Sequence, residues 1–131
     1  MCVLIFPMQV SAAAAGVDMP DSDFRDRMLN ALNAEGLRIA QWQTTILPGQ
    51  SIFRDKIGYG KGSPWSDRNY KGSVEYRPED YPIAQKVVDR TLWLVDMYRY
   101  PHTVADQQTY TIAAFRKVFD QAKEAASWPA P

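Results

Sequence analysis

Apolar residues alternate along this chain between strand-like runs and helical spacing, which predicts a domain of mixed secondary structure. The run from Val3 to Val10 is apolar and partly β-branched, so we expect a buried strand there. A helix should follow, because Asp21 or Ser22 can cap its start and Gly36 can end it. Its apolar stripe recurs at helical spacing over Phe24, Met28, Leu29 and Leu32.

A long loop is predicted in the middle of the chain. Leu37 to Leu47 should form a returning strand, which Pro48 and Gly49 would turn. Residues 48–78 then hold five of the seven glycines and no sustained apolar period. A loop of this length is usually functional or disordered, and disordered segments are poor in aromatic residues. This one contains Phe53, Tyr59, Trp65, Tyr70 and Tyr76, which favours an ordered binding loop.

Two helices and a short strand are predicted after the loop. Residues 79–80 should open the first helix, with Ile83 and Val87 facing the core, and Trp93 to Met97 should form the strand. Thr103 can cap the last helix. The apolar face of that helix recurs over Val104, Gln108, Ile112, Phe115, Val118, Phe119 and Ala122.

This order of elements predicts an α+β fold, in which a small antiparallel or mixed sheet is covered by helices on one face. A length of 131 residues fits one domain, spanning residues 1–131. A hydrophobic content of 46% and a charged content of 23% are typical of a soluble globular protein. Fifteen basic and fifteen acidic residues cancel, so no overall field favours nucleic acid or a membrane surface.

The apolar start of the chain imitates a secretory signal, because small residues follow it. No Lys or Arg precedes the apolar run, however, and Pro7 and Gln9 interrupt it, which favours a strand. No segment approaches the ~20 apolar residues that span a bilayer. The single cysteine, Cys2, excludes an internal disulfide and fits a reducing compartment. We therefore expect a cytoplasmic protein.

Cationic and aromatic side chains are concentrated in and around the long loop. From Ile52 to Arg77 the cations are Arg54, Lys56, Lys61, Arg68, Lys71 and Arg77, against the acids Asp55, Asp67 and Glu75. This local excess suits an anionic ligand or an acidic partner, and solvated loop charges would give the same pattern. The aromatic residues could wall a substrate pocket or anchor a subunit interface. One Cys and one His provide no metal-ligand cluster.

Five segments of the chain carry a resemblance to one known family. They are FRDRMLNALNAEG (24–36), ILPGQSIF (46–53), GYGKGSPW (58–65), YPIA followed by VDRTLWL (81–94), and AFRKV (114–118). In order and spacing they resemble the C-terminal small domain of DegT/StrS-type sugar aminotransferases, which are fold-type-I pyridoxal-phosphate enzymes. One departure matters. Pro48 stands where the family has a histidine that reaches toward substrate, so that contact cannot be carried over.

In the family, a large domain precedes the small one and holds pyridoxal phosphate and its lysine. The large-domain motifs are missing here, so the resemblance implies a small subunit that completes the active site of a separate large-domain chain. The cofactor, pyridoxal phosphate, would be held by that partner chain. The assembled enzyme would be an aminotransferase acting on a keto sugar or a related ketone. Alternatives are a dehydratase subunit using the same cofactor, a non-catalytic binding or regulatory module that keeps the fold, and a truncated gene product.

The resemblance also implies which residues face the shared site. Gln50 matches a family glutamine, and Lys61 lies between two glycines that let the backbone approach a ligand. The expected substrate-binding residues are therefore Gln50, Phe53, Tyr59 and Lys61, and the expected interface residues are Trp42 and Trp65. None of the six lysines lies in a Schiff-base motif, so no catalytic residue is assigned and the chain alone should not catalyse transamination.

Overall fold

A computed structural model describes residues 6–95 and 103–128, with side chains described from Met8 onward. The chain divides into two units, and each is treated by itself below. The first unit comprises residues 1–42 and 89–131, and the second comprises residues 43–88. The prediction of a single domain over residues 1–131 stays a prediction.

The sheet lies in the first unit and consists of three short antiparallel strands. They are β1 (Phe6–Gln9), β2 (Ile39–Ala40) and β3 (Thr91–Leu94), in the order β1-β3-β2. In the register, β3 pairs its Leu94 with Phe6 on one side and with Ile39 on the other. Leu92 and Leu94 are buried on one face of β3, whereas Thr91 and Trp93 are only partly covered. The part of the predicted strand beyond residue 95 lies outside the described residues.

Helices cover the buried face of this sheet. The helix α1 (Asp21–Ala34) buries the side chains of Phe24, Met28 and Leu32 as its spacing predicts, and it shares one core cluster with Leu92 and Leu94. Two further helices of the first unit, α4 (Val104–Asp120) and α5 (Ala122–Ala125), add Val118 and Ala122 to that cluster. The α+β fold with helices on a small antiparallel sheet is therefore confirmed.

The strand predicted over Leu37 to Leu47 is wrong except for the two residues of β2. The side-chain amide of Asn33, in α1, binds both backbone groups of Ile39: its Nδ2 donates to the Ile39 carbonyl at 3.0 Å, and its Oδ1 accepts the Ile39 N–H at 2.8 Å. The Asn33 side chain thus takes up the backbone N–H and carbonyl of Ile39, which a further strand would need for pairing at this edge of the sheet. The β-branched residues after Ala40 predict a strand locally, but residues 41–46 form bends and irregular backbone.

The start of α1 also differs from the prediction. Pro20 is the N-cap and no side chain caps the helix, whereas Asp21 is its first residue. The Asp21 carboxylate instead accepts the Ala12 N–H at 2.9 Å and the Arg90 Nε–H at 2.6 Å. Through Asp21, the turn after β1 (Ala12) is thus linked to Arg90, the residue that precedes β3. Thr103 precedes α4 as predicted but likewise makes no capping hydrogen bond with its side chain.

Asp21 should make stability depend on acid pH. The Ala12 N–H, and then Arg90, hold its pKa below the usual value. A depressed folded-state pKa contributes stability that is present above the unfolded-state pKa and is lost as pH falls through the folded one. We expect Asp21→Asn to lower the free energy of unfolding by about 1–2 kcal/mol at pH 7, and the difference from wild type to shrink toward pH 2. Urea unfolding at both pH values measures this.

Asp23→Asn is the matched control, because Asp23 lies on the exposed side of the same helical turn. It removes the same charge and should change the free energy of unfolding little. An equal loss in both variants, or a loss in Asp21→Asn that persists unchanged at pH 2, would contradict the assignment.

The apolar face predicted for α4 is confirmed in part: Val118 and Ala122 belong to the core cluster, and Phe115 packs against it. The buried residues of α4 are Thr111, Ala114 and Val118, whereas Ile112 is exposed. Phe119 is 39% exposed, and its ring stacks on that of Phe115 at 6.0 Å between centroids. The buried residues of α4 are thus smaller than those that the spacing predicts.

The second unit has little regular structure. Its described elements are a 3₁₀ helix (Leu47–Gly49), the short helix α2 (Ser51–Arg54), a second 3₁₀ helix (Pro78–Asp80) and α3 (Pro82–Arg90), which ends in the first unit. The predicted inward orientation of Ile83 and Val87 on α3 is wrong, since their exposures are 80% and 44%. Within the described residues, no α-helix has both the length and the apolar composition needed to cross a bilayer.

Candidate functional site

Residues 57–66, here called the glycine loop, form a compact loop that is held by hydrogen bonds between its own backbone groups. The Tyr59 N–H donates to the Ser63 carbonyl at 2.9 Å, and the Ser66 N–H donates to the Gly62 carbonyl at 2.9 Å. The Ser66 hydroxyl also donates to the Lys61 carbonyl at 2.7 Å. The tight path uses left-handed backbone at Lys56, Gly58, Gly60, Lys61 and Gly62. The glycines that are prominent in the sequence of this segment therefore allow the backbone conformation that closes the loop.

Gly58 is the position where the loop has least room. A Cβ placed on Gly58 would lie 1.6 Å from the Ser63 carbonyl oxygen. Gly60, by contrast, has no atom within 4 Å of the position where its Cβ would stand. The chain crosses itself closely at Gly58, and only there does the loop require the absence of a side chain as well as a positive φ.

Three aromatic rings hold the two ends of the long loop together. They are Phe53, Trp65 and Tyr76, here called the aromatic cluster. Trp65 packs edge-on against Phe53 at 6.2 Å and against Tyr76 at 5.9 Å, and Phe53 lies 5.6 Å from Tyr76. The indole Nε1–H of Trp65 donates to the Tyr76 hydroxyl at 3.2 Å. Tyr76 is a residue that the sequence did not single out for a site, because its partners are distant in sequence.

An ion pair reinforces the same junction. The Lys56 ammonium lies 2.6 Å from the Glu75 carboxylate, and its hydrogen bond holds the pKa of Glu75 below the usual value. Arg54 pairs with Asp55 at 2.8 Å and in the same way lowers the pKa of that carboxyl. Two of the six cations counted in the loop are therefore neutralised locally.

The four predicted substrate-binding residues divide into two kinds. Phe53 belongs to the aromatic cluster and is half-buried, whereas Tyr59 is 94% exposed at the glycine loop. Lys61 is exposed as well, and its backbone position is set by the Ser66 hydroxyl. Gln50 precedes α2, where its carbonyl accepts from the N–H groups of residues 53 and 54. Among the described residues, the side chains of Gln50 and Lys61 make no hydrogen bond.

The two predicted interface residues lie in different units. Trp65 belongs to the aromatic cluster, so its ring stabilises the second unit internally. Trp42 lies at the end of the first unit's N-terminal segment, where it is 64% exposed and its ring is tilted against that of Trp93, with 6.0 Å between the centroids.

Exposed apolar residues are the main feature of the second unit that the sequence did not reveal. Of its described residues, only Ile46 is buried. The exposed large apolar side chains are Leu47, Ile52, Ile57, Tyr59, Tyr70, Tyr81, Ile83 and Val87. Scattered apolar side chains are normal on a protein surface, and eight of them stand within the 46 residues of this unit.

The lysines do not fit covalent attachment of pyridoxal phosphate. That role needs an amine in a partly desolvated pocket beside an acid that serves the pyridine nitrogen. Five of the six lysines are exposed, and the sixth, Lys56, is paired with Glu75. The described residues include no group of three His, Cys, Asp or Glu side chains that could hold a metal ion. His102 and Cys2 lie outside the described residues.

Neither a scan against models of known protein families nor a search of curated proteins returns a match.

Proposed function

We propose that this protein is the small subunit of a two-chain pyridoxal-phosphate-dependent enzyme. Its second unit docks on a separate large-domain chain and completes that chain's active site. The observation that carries the proposal is the exposed apolar surface of the second unit, with Tyr59 almost wholly exposed on the glycine loop. We infer the kind of partner from the five sequence segments, which resemble the small domain of DegT/StrS-type aminotransferases.

The internal bonding of the second unit supports a docking role. A loop that is ordered before it binds loses less conformational entropy on association than a flexible one. Backbone hydrogen bonds close the glycine loop, and the aromatic cluster with the Lys56–Glu75 ion pair joins its flanks. Tyr59 is thereby presented on a fixed backbone. Tyrosine is enriched among the residues that dominate binding energy at interfaces.

Gln50 and Lys61 are the residues of this chain that we assign to the shared site. The Gln50 amide can both donate and accept toward a hydroxyl or carbonyl of a keto sugar or related ketone. The Lys61 ammonium can meet a carboxylate or phosphate as a compact point charge. Both side chains lack hydrogen-bond partners among the described residues, so neither has to give up an internal contact to bind.

The partner chain holds the cofactor in this proposal, because the lysines of the small subunit do not fit covalent attachment. Pyridoxal phosphate supplies an electron sink for chemistry at the substrate carbon that bears nitrogen. The small subunit contributes positioning: Gln50 and Lys61 orient the substrate, and the aromatic surface excludes water from the shared site.

Co-expression with a family member that ends before its own small domain tests the proposal, and a neighbouring gene is the first place to look for it. We expect the two chains to co-purify as a heteromer. After borohydride treatment, mass spectrometry should find the cofactor on a partner lysine, and the heteromer should transfer an amino group to a ketone. Failure of the chains to associate, or a cofactor adduct on a lysine of the isolated small subunit, would overturn it.

A further inference from the structure

A cavity of about 660 Å³ opens in the first unit, and its lining includes none of the residues assigned above. It lies between the end of β1, the turn at residues 11–15, α1 and the junction of α4 with α5. Its volume falls within the ~300–1,000 Å³ that small-molecule sites usually have. All of its lining residues belong to one unit, so its shape is set within that unit.

The floor of the cavity is apolar and firmly packed. Val10, Phe24 and Ala122 line it, and their exposures are 3%, 1% and 8%. All three belong to the central core cluster, which fixes their positions. Phe119 forms part of the wall, and one face of its ring stacks on Phe115. A ligand could therefore bury an apolar body without any rearrangement of the core.

The charges of the lining are unbalanced. Asp120 and Glu124 contribute two carboxylates, whereas Lys123 contributes one ammonium. Within the part of the chain that the structure describes, neither carboxylate forms a hydrogen bond or an ion pair. The Lys123 side chain lies against Gly16, with its Cε 3.6 Å from where a Cβ of Gly16 would stand. The lining as a whole therefore carries an excess of one negative charge.

We propose that this cavity binds a small organic cation, a primary amine attached to an aromatic or aliphatic body. The body packs on the apolar floor, and the ammonium lies at the mouth between the two carboxylates and the face of Phe119. Carboxylates and an aromatic face both attract a cation, so both favour an ammonium over a neutral group at the same place. None of its lining residues belongs to the second unit, which carries the proposed docking surface.

Titration of the full chain with phenethylamine, followed by two-dimensional NMR of the backbone amides, tests the proposal. We expect saturable shifts confined to residues 9–15 and 119–124. Phenethyl alcohol has the same body without the charge, and it should bind at least about fivefold more weakly. Phenylacetate, which reverses the charge, should bind more weakly still. Equal affinity for the alcohol, tighter binding of the acid, or no saturable shift would each overturn the proposal.

Two sets of variants localise the site. Ala14→Trp places an indole in the cavity and should abolish the shifts, whereas Ala13→Trp, at an exposed turn residue that does not line the cavity, should leave them unchanged.

The double variant Asp120→Asn with Glu124→Gln should reduce the affinity for phenethylamine about fivefold, to that of the alcohol. Asp106→Asn, on the same helix but outside the cavity, is its control. Unchanged binding in the double variant contradicts the role of the carboxylates even if Ala14→Trp fails to fold.

Discussion

Gly58→Ala is expected to unfold the glycine loop. The new methyl group would lie 1.6 Å from the Ser63 carbonyl oxygen, far inside van der Waals contact, and the backbone there has a φ of +54°. The Ser63 carbonyl also accepts the Tyr59 N–H, so moving it away breaks the hydrogen bond that closes the loop. We expect a loss of about 3 kcal/mol or more, since strain at positive φ adds to a backbone clash.

The indole N–H signal of Trp65 reports this change directly, because it donates to Tyr76 in the aromatic cluster. It should move to a solvent-exposed position in Gly58→Ala, and proteolysis within residues 57–66 should accelerate. Gly60→Ala is the matched control: its φ is +100°, but no atom stands near its Cβ position, so it should lose only about 1 kcal/mol. If the two variants behaved alike, the close crossing at Gly58 would be refuted.

Tyr59→Ala is expected to weaken the heteromer by about 2 kcal/mol or more, which is roughly a 30-fold rise in Kd. The reason is that a truncated aromatic anchor removes a large apolar area at the interface. The isolated subunit should keep its stability, because the Tyr59 side chain is 94% exposed and makes no described contact within the chain. Titration calorimetry of the two purified chains measures the affinity.

Ile112→Ala is the control, since it truncates an exposed apolar residue on α4 of the first unit, whereas the proposed docking surface belongs to the second unit. Its affinity for the partner should equal that of wild type. Trp65→Ala should reduce affinity as well, but together with a loss of loop order, because its ring belongs to the aromatic cluster. Unaltered affinity in both Tyr59→Ala and Trp65→Ala would remove the glycine loop from the docking surface.

Much of the candidate site could be located from the sequence, but its internal construction could not. The clustering of glycines and aromatic residues indicated an ordered loop around Tyr59 and Lys61. The partnership of Trp65 with Tyr76, and of Lys56 with Glu75, joins residues far apart along the chain. Neither the periodicity nor the composition of the sequence predicts which distant residues pair. The cavity of the first unit was missed for the same reason, because its walls come from both ends of the sequence.

The sequence by itself determined the features that depend on neighbouring residues. Spacing along α1 was enough to identify Phe24, Met28 and Leu32 as core residues, and the strand predicted from Trp93 overlaps the end of β3. Helical spacing and strand propensity arise from backbone geometry within a few residues, so they can be read locally.

Only the tertiary structure decided which faces are covered and where pairing stops. Ile83 lies on an amphipathic helix like Phe24, yet it is exposed, because burial requires an element from elsewhere in the chain to pack on that face. β2 ends after two residues, and an Asn33 amide occupies its outer edge. Asp21 binds Ala12 and Arg90 where local rules predict a cap. Tertiary contacts, or their absence, thus outweigh local preferences of about 1 kcal/mol or less.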